Sequence, residues 1–387
     1  MEGSYKIQDF TTNIEAEIHR LKGQVDLFFD KELKKYLEFG LKNGQRIIEC
    51  GSGPGYLLTR ILEHLPDCRA TALEIDPYLL DILKTQSSAG EKQLFDVVAG
   101  SITNTGLPDN IFDTAIVRLV MEHIPDPEKA LSELYRILKP GGKLIIVSND
   151  FSLHLITYPS IPELDLLYKA YCASQESKGG NPLIGRQLPF LLQNTGFVKT
   201  GFDVIFVHNI LDNDKAFFKA EDVHISARLV KEGFLEKKVF DTLAVKWYEM
   251  LKTAGHTLYR QLFIACGEKS GLPVLPAGVS AAAPELRNEK EAFLQRIMET
   301  SAGVKEEPIE DYIIAAAAEI LEQEPGAIRN DLVFHDLGMD SISGVEFIYI
   351  LLSDFGYEVA VSELLTDLTI KTLAHEIFLV LDSRDSH

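Results

Sequence analysis

Apolar residues along the first 270 positions fall into two alternating rhythms. Ile14, Ile18, Leu21, Val25 and Phe28 recur at helical spacing and predict helix over residues 1 to about 44. The short run Arg46-Ile47-Ile48-Glu49-Cys50 then predicts a strand, stopped by Gly51-Ser52-Gly53-Pro54-Gly55. Leu57, Leu58, Ile61 and Leu62 resume the helical period. Further strands are expected over residues 70–75, 96–99, 112–119 and 143–147. Between the last two, Ala130, Leu131, Leu134, Ile137 and Leu138 form one helix face, closed by Lys139-Pro140-Gly141-Gly142. Strands alternating with helices at this spacing require an α/β fold with a doubly wound, mainly parallel sheet.

Beyond Asn149 the rhythm loosens. Strands are expected over 204–210 and 258–266, with helical insertions over about 150–195 and 214–254 that would cap a crevice. Residues 270–284, SGLPVLPAGVSAAAP, have the composition of a linker. A charged amphipathic helix is expected over 286–298, and a polar break over 300–308. The remaining residues, 309–387, are set apart by these breaks as an acidic domain of their own. The organisation expected is thus a catalytic domain over 1–269, a linker with a helical segment over 270–308, and a second domain over 309–387.

Charge sharpens this division. The formal net charge is -20, and residues 302–387 hold 18 acidic side chains against 4 basic ones. Such a domain repels nucleic acid and anionic membrane and favours partners with basic patches. The four cysteines, Cys50, Cys68, Cys172 and Cys266, form no C-x-x-C pair and have no His-rich neighbourhood, so neither a metal site nor a disulfide framework is expected. No apolar run reaches a membrane span, and the N-terminus lacks the features of a secretory signal, so a cytoplasmic location is expected.

The chemistry begins at the glycine loop. A strand ending in an acid, a loop that allows close backbone approach, and a helix N-terminus make a nucleotide-type site. Glu74 ends the next strand, where a carboxylate can accept both hydroxyls of a ribose. The loop spacing, Glu49-x-Gly51-x-Gly53-x-Gly55, departs from the G-x-G-x-x-G of a dinucleotide dehydrogenase. From Arg46 to Ile146 the chain resembles the Rossmann-like class I S-adenosylmethionine-dependent methyltransferases: IIECGSGPGYLL is similar to their first motif, ALEIDP to their second, and residues 99–147 to their third stretch.

That resemblance implies roles. Gly51, Gly53 and Gly55 would line the methionine and ribose portion of S-adenosylmethionine, with Glu49 near its amino group and Glu74 on the ribose. Ser101 and Ile102 would contact adenine, although the family usually has Asp where Ser101 stands. Asp113 would be structural. Arg20-Leu21-x-x-Gln24 is similar to a segment that closes over the cofactor in one branch of the family, and Arg20 and Gln24 share a helix face. For acceptor deprotonation the candidate base is His123, in Val120-Met121-Glu122-His123-Ile124-Pro125 at the carboxyl edge of the sheet. Its imidazole could titrate near neutral pH, and Glu122 or Arg118 could orient it or the cofactor. A packing or capping histidine is the competing reading. His154, His208 and His224 are secondary candidates.

In the acidic tail, Phe334-His335-Asp336-Leu337-Gly338-Met339-Asp340-Ser341-Ile342 resembles the attachment motif of carrier proteins in polyketide and non-ribosomal peptide synthases, and the likeness extends over about 309–381. It implies a small all-α helical-bundle carrier domain with 4'-phosphopantetheine on Ser341, a residue otherwise suited to be a plain helix N-cap. The partners implied are a phosphopantetheinyl transferase, other synthase domains and a carrier-bound acyl substrate. The expected activity is methylation of a carrier-tethered polyketide or peptide intermediate, with oxygen preferred. Carbon or nitrogen methylation, a free small-molecule methyltransferase, and an inactive fold serving as a docking scaffold are the alternatives. About 15 linker residues would reach roughly 20 Å, which permits delivery within one chain.

Overall fold

The computed structural model describes residues 7–10, 14–88, 93–220, 225–270 and 306–384. The linker residues after Ser270, the expected helix over 286–298 and His224 lie outside the described residues. Contacts divide the chain into two compact units, 1–278 and 279–387.

Among the described residues the first unit is built on eight strands: β1 (Arg46–Cys50), β2 (Arg69–Glu74), β3 (Asp96–Ala99), β4 (Phe112–Arg118), β5 (Leu138–Ser148), β6 (Leu155–Tyr158), β7 (Phe197–His208) and β8 (Thr257–Lys269). Strands β3-β2-β1-β4-β5 run parallel. β8 joins β5 antiparallel and carries β7 along its other edge, while β6 continues beyond β5 on the same side of β8. Successive residues of the central strands point to opposite faces. Ile47, Ile116 and Ile145 therefore enter one core, with Phe28, Leu58 and Leu262. Ile48, Val117 and Ile146 enter the other, with Leu131, Leu134 and Leu188.

Helix α1 is Ile7–Phe10, and α2, Ile14–Glu38, is one 25-residue helix. Gly23 lets α2 approach α8 (Asn209–Ala220) closely, since a Cβ there would sit 2.4 Å from the Lys219 carbonyl oxygen. After β1 comes α3 (Tyr56–His64). α4 (Pro77–Ser87) opens on Asp76, whose carboxylate accepts from Tyr78 and Leu79 N–H and whose Pro77 suits a first turn. α5 (Pro127–Ile137) and α7 (Leu188–Asn194) pack on the second face. α6 (Glu163–Ser177), α9 (Ile225–Lys231) and α10 (Lys237–Lys252) pack on one another beyond the carboxyl edge of the sheet.

Three strand expectations change. β6 is absent from the sequence reading, because four residues paired only to β8 carry too little alternation to be seen. β7 begins seven residues before the expected 204, crossing an irregularity between Val198 and Gly201 that breaks its period. β5 begins at Leu138, so Lys139-Pro140-Gly141-Gly142 lies within an irregular strand start opposite Phe112 and does not merely end a helix.

The second unit contains helices Glu306–Ile320, Ser341–Phe355, Val361–Thr366 and Ile370–Arg384 around Ile313, Phe334, Phe347, Leu351, Leu364 and Leu373. Its first helix begins inside the expected polar break: Glu306-Glu307-Pro308 forms an acidic, proline-containing first turn, which a helix N-terminus favours.

Candidate functional site

A cleft of about 210 Å³ opens at the carboxyl ends of β1, β2 and β4, beneath α2 and α6. β1 delivers Glu49 and the glycine loop, and β2 delivers Glu74. β4 and the turn after it deliver Arg118, Leu119, Val120, Glu122 and His123. α2 brings Arg20 and Gln24 over the top.

The loop is held by its own backbone and by Glu74. Gly51 and Ser52 N–H both donate to the Leu73 carbonyl, at 2.8 and 3.0 Å. Gly53 N–H donates to Glu74 Oε2 at 2.8 Å, while Ile75 and Asp76 N–H donate to Oε1. Burial still lifts the Glu74 carboxyl above its ordinary range against these three donors. Gly51 has φ +75° and lies so near Val120 that a Cβ would meet its Cγ2 at 2.4 Å. Gly53, at φ +54°, faces open space instead. Gly55 lies outside the lining. It turns the chain into α3, and a Cβ there would strike Leu83 at 2.6 Å.

Glu49 is almost wholly buried, and its Oε2 has no hydrogen-bond partner. Burial pushes its carboxyl up to about 8, against the pull of Arg118, with Glu74 and Glu32 adding to the rise. Arg118 is committed elsewhere: its guanidinium grips the Glu32 carboxylate through Nε and Nη2 at 2.9–3.0 Å and donates to the Gln24 carbonyl at 3.0 Å. Tyr36 donates to the same carboxylate at 2.7 Å. This cluster ties β4 to α2 and so places Gln24 over the cleft. Sequence reasoning passed over Glu32 and Tyr36, although their (i, i+4) spacing on α2 was a usable signal. Arg20 is held by Glu17 in a two-pronged ion pair.

In the turn after β4, Leu119 adopts φ +55°, costly for a branched side chain and typical of strain stored at a site. Glu122 is buried, accepts from Asn149 at 2.9 Å, keeps Oε2 without a partner, and is raised above its ordinary range by that burial. His123 behaves otherwise than its residue type suggests. Burial, with Arg20 and Arg228 adding to it, lowers the imidazole to about 4, so it is neutral at pH 7 and does not titrate there.

The cap supplies an aromatic wall that sequence reasoning missed. Phe151 stacks on His154 at 4.6 Å and meets Tyr171 at 4.2 Å, and His154 meets Tyr168 at 5.0 Å. Arg260 of β8 lies against Phe28 and also lines the cleft. Ser101 and Ile102 lie outside the lining: Ser101 Oγ bonds to Thr103 Oγ1, and Ile102 packs in the second core. His208 lies outside it as well. Asp113 sits at the opposite end of β4, accepting from Arg46 N–H and the Lys139 ammonium. Among the described residues no three His, Cys, Asp or Glu side chains group as a metal site, and no helix is long and apolar enough to cross a membrane.

In the second unit Ser341 is exposed and is the first residue of its helix. The N-cap is Asp340, whose Oδ1 accepts from Ile342 and Ser343 N–H at 2.9 Å, with the Ser343 hydroxyl completing a capping box. Capping is therefore not the work of Ser341.

The residues fit S-adenosylmethionine on two observations of this structure. A buried Glu49 oxygen lacks a donor that an ammonium would supply, and Gly53 leaves open space beside the Glu74 carboxylate. A methyltransferase domain family matches residues 48–146, and a phosphopantetheine attachment site family matches residues 311–377. An uncharacterised methyltransferase of Schizosaccharomyces pombe is 32% identical over 154 residues, covering 38% of this chain and 55% of that one. A ubiquinone/menaquinone biosynthesis C-methyltransferase of Methylobacterium nodulans is 30% identical over 127 residues, 33% and 48% of the two chains. The chain spans about half the length of these curated relatives. Phosphoethanolamine N-methyltransferase 2 of Haemonchus contortus, solved with S-adenosyl-L-methionine, superposes with a TM-score of 0.41 at 18% identity, over 62% of this chain and 52% of that one. One polypeptide thus joins a segment that matches the methyltransferase domain family to a later segment that matches the phosphopantetheine attachment site family.

Proposed function

We propose that this protein methylates an acyl intermediate held as a thioester on phosphopantetheine, within a polyketide or hybrid peptide assembly line. The observation that carries the reading is the common cleft: the glycine loop, Glu49 and Glu74 share it with His123 and the aromatic wall of the cap. Glu49 would take the ammonium of S-adenosylmethionine, and Glu74, held by Gly53, Ile75 and Asp76, its ribose. Arg20 and Gln24 would cover it from α2. Ser101 and Ile102 would reach adenine only if the segment after β3 turns toward the cleft. The bound cofactor supplies an electrophilic methyl group on a sulfonium. The chain's own task is to align the acceptor, exclude water and receive its proton. His123 is the proposed acceptor of that proton, steadied by the turn that Glu122 and Asn149 fix. Ser341, exposed at its helix start, is the proposed attachment point for phosphopantetheine.

Oxygen is the proposed acceptor atom. An imidazole lowered to about 4 is neutral and able to accept a proton, but it is a weak base. It suits an acceptor that is itself acidic, such as an enol. Carbon is the second reading, because an enolisable β-dicarbonyl offers both atoms to the same base and the Methylobacterium relative is named a C-methyltransferase. The test compares methyl transfer to acetoacetyl-phosphopantetheine on the full-length chain with transfer to free acetoacetyl-pantetheine. Preference for the carrier-bound form is expected. Equal rates would favour a free small-molecule enzyme, and absence of S-adenosylmethionine binding by calorimetry would favour a scaffold.

A further inference from the structure

Three ionisable side chains stand in a row across the carboxyl edge of the sheet. Glu49 of β1 is the register partner of Ala72 in β2 and of Ile116 in β4. Glu74 and Arg118 each come two residues further along those strands, so alternation puts them on the same face as Glu49 and one diagonal step from it. That face is the one packed against α2, and all three side chains line the cleft. A long side chain spans one diagonal step. Two carboxylates therefore compete for the Arg118 guanidinium: Glu49 beside it on the sheet, and Glu32 on α2. Glu32 holds it. Its two oxygens take Arg118 Nε and Nη2 at 2.9–3.0 Å, and Nη2 also donates to the Gln24 carbonyl at 3.0 Å. Tyr36, one turn along α2, adds its hydroxyl to Glu32 at 2.7 Å. Glu32 and Tyr36 are both buried, and a buried carboxylate keeps its charge only with such donors around it. Glu49 takes no share in the grip, and its Oε2 has no hydrogen-bond partner among the described residues.

We propose that Glu32, steadied by Tyr36, is a positioning residue for cofactor recognition: it draws the Arg118 guanidinium onto α2 and so keeps the Glu49 carboxyl open for the ammonium of S-adenosylmethionine. This rests on the reading of Glu49 as the ammonium site. Without the Glu32 charge the guanidinium is left buried and uncompensated, and the carboxyl one diagonal step away on its own face of the sheet is Glu49. An internal ion pair there would occupy the oxygen that the ligand needs. The charged and titratable groups that face Glu49 are Arg118 from β4, Glu74 from β2, and Glu32 and Tyr36 from α2. Of these four only Arg118 is a cation. Releasing it toward Glu49 would therefore also ionise Glu49 in the free protein and remove the proton that ligand binding expels.

The experiment is titration calorimetry of the full chain with S-adenosylhomocysteine and with its analogue lacking the α-amino group, alongside Tm for each variant. The wild type should prefer the amine-bearing ligand by about 10-fold or more at about pH 8, and should release a proton with it at about pH 6. Glu32→Gln should bring the preference to within about twofold and abolish the proton release. Tyr36→Phe, which keeps the ring and removes one donor from Glu32, should move both readouts in the same direction by less. The double variant Glu32→Gln with Arg118→Gln has no guanidinium to claim Glu49. It should regain the proton release and a preference of about fivefold or more. A clamp that merely joins α2 to β4 gives the opposite order, because the double variant has lost both halves of it. Preference and proton release unchanged in Glu32→Gln, or not regained in the double variant, overturn the role of Glu32. If Glu32→Gln does not fold, Tyr36→Phe decides, and wild-type preference and proton release there overturn it. Equal affinity of the wild type for the two ligands overturns the reading of Glu49 itself, whereas a wild-type preference that survives in Glu32→Gln leaves Glu49 standing and removes only Glu32.

Discussion

Replacing Glu49 with Gln should uncouple cofactor binding from pH. In the free protein burial holds the Glu49 carboxyl at about 8, so it is mostly protonated at neutral pH. An ammonium brought to its partnerless Oε2 favours the ionised form, and binding below pH 8 must then release a proton. Linkage limits the gain in affinity to tenfold per pH unit, and a carboxyl at about 8 that ionises on binding gives on the order of 50-fold between about pH 6 and about pH 8. His123, at about 4, contributes nothing to this window. Titration calorimetry in buffers of different ionisation enthalpy reads both the affinity and the proton released. Glu49→Gln should flatten the profile and weaken binding at pH 8 by roughly 10- to 100-fold, as loss of a charge-assisted hydrogen bond does. Stability should respond in the opposite sense. A carboxyl raised from 4.5 to about 8 in the fold contributes stability that is full below its unfolded value and is lost as pH rises through 8. Glu49→Gln should therefore melt higher than the wild type at pH 8 to 9 and gain nothing at pH 4. A wild-type affinity that is flat across this range, with no proton released, would refute the reasoning.

Glu74→Ala should weaken S-adenosylmethionine binding by about 1.5–3 kcal/mol and also lower Tm, because it strands the Gly53, Ile75 and Asp76 N–H donors; unchanged calorimetric affinity would sink the assignment. Gly51→Ala should destabilise by at least about 1–3 kcal/mol in urea unfolding, since its φ of +75° disfavours a side chain and Val120 leaves no room; a neutral result would contradict that geometry. His123→Ala should lower turnover by roughly 10²–10⁴-fold with cofactor affinity retained, and wild-type turnover would point to another base or none. Asp340→Ala should cost the second unit about 1 kcal/mol as its helix loses the cap, whereas Ser341→Ala should leave its melting unchanged and abolish modification by a phosphopantetheinyl transferase.

The central sheet was legible because β1, β2, β4 and β5 are buried on both faces and separated by glycine and proline punctuation. The late strands were not: β6 is short, and β7 passes through an irregularity at Gly201 that interrupts alternation. Glu49, Glu74 and His123 could be singled out because their positions follow strand ends. Their protonation could not, since it depends on burial by α2 and α6, elements far away in sequence. The same holds for Arg118, whose partner Glu32 lies 86 residues upstream. Tyr171 carries no motif at all, and only the packing of α6 brings it to the cleft that His123 lines. Ser341 could be singled out in the sequence as a candidate attachment point, but the assignment of its neighbour Asp340 as the cap required the backbone.

The most direct test of coupled function is intact-protein mass spectrometry of the full-length chain loaded with acetoacetyl-phosphopantetheine and incubated with and without S-adenosylmethionine. The account predicts one arm, lost in Ser341→Ala, and one added methyl on the cargo only when S-adenosylmethionine is present. An arm at Ser341 whose cargo stays unmethylated, in a protein that binds the cofactor, would contradict it.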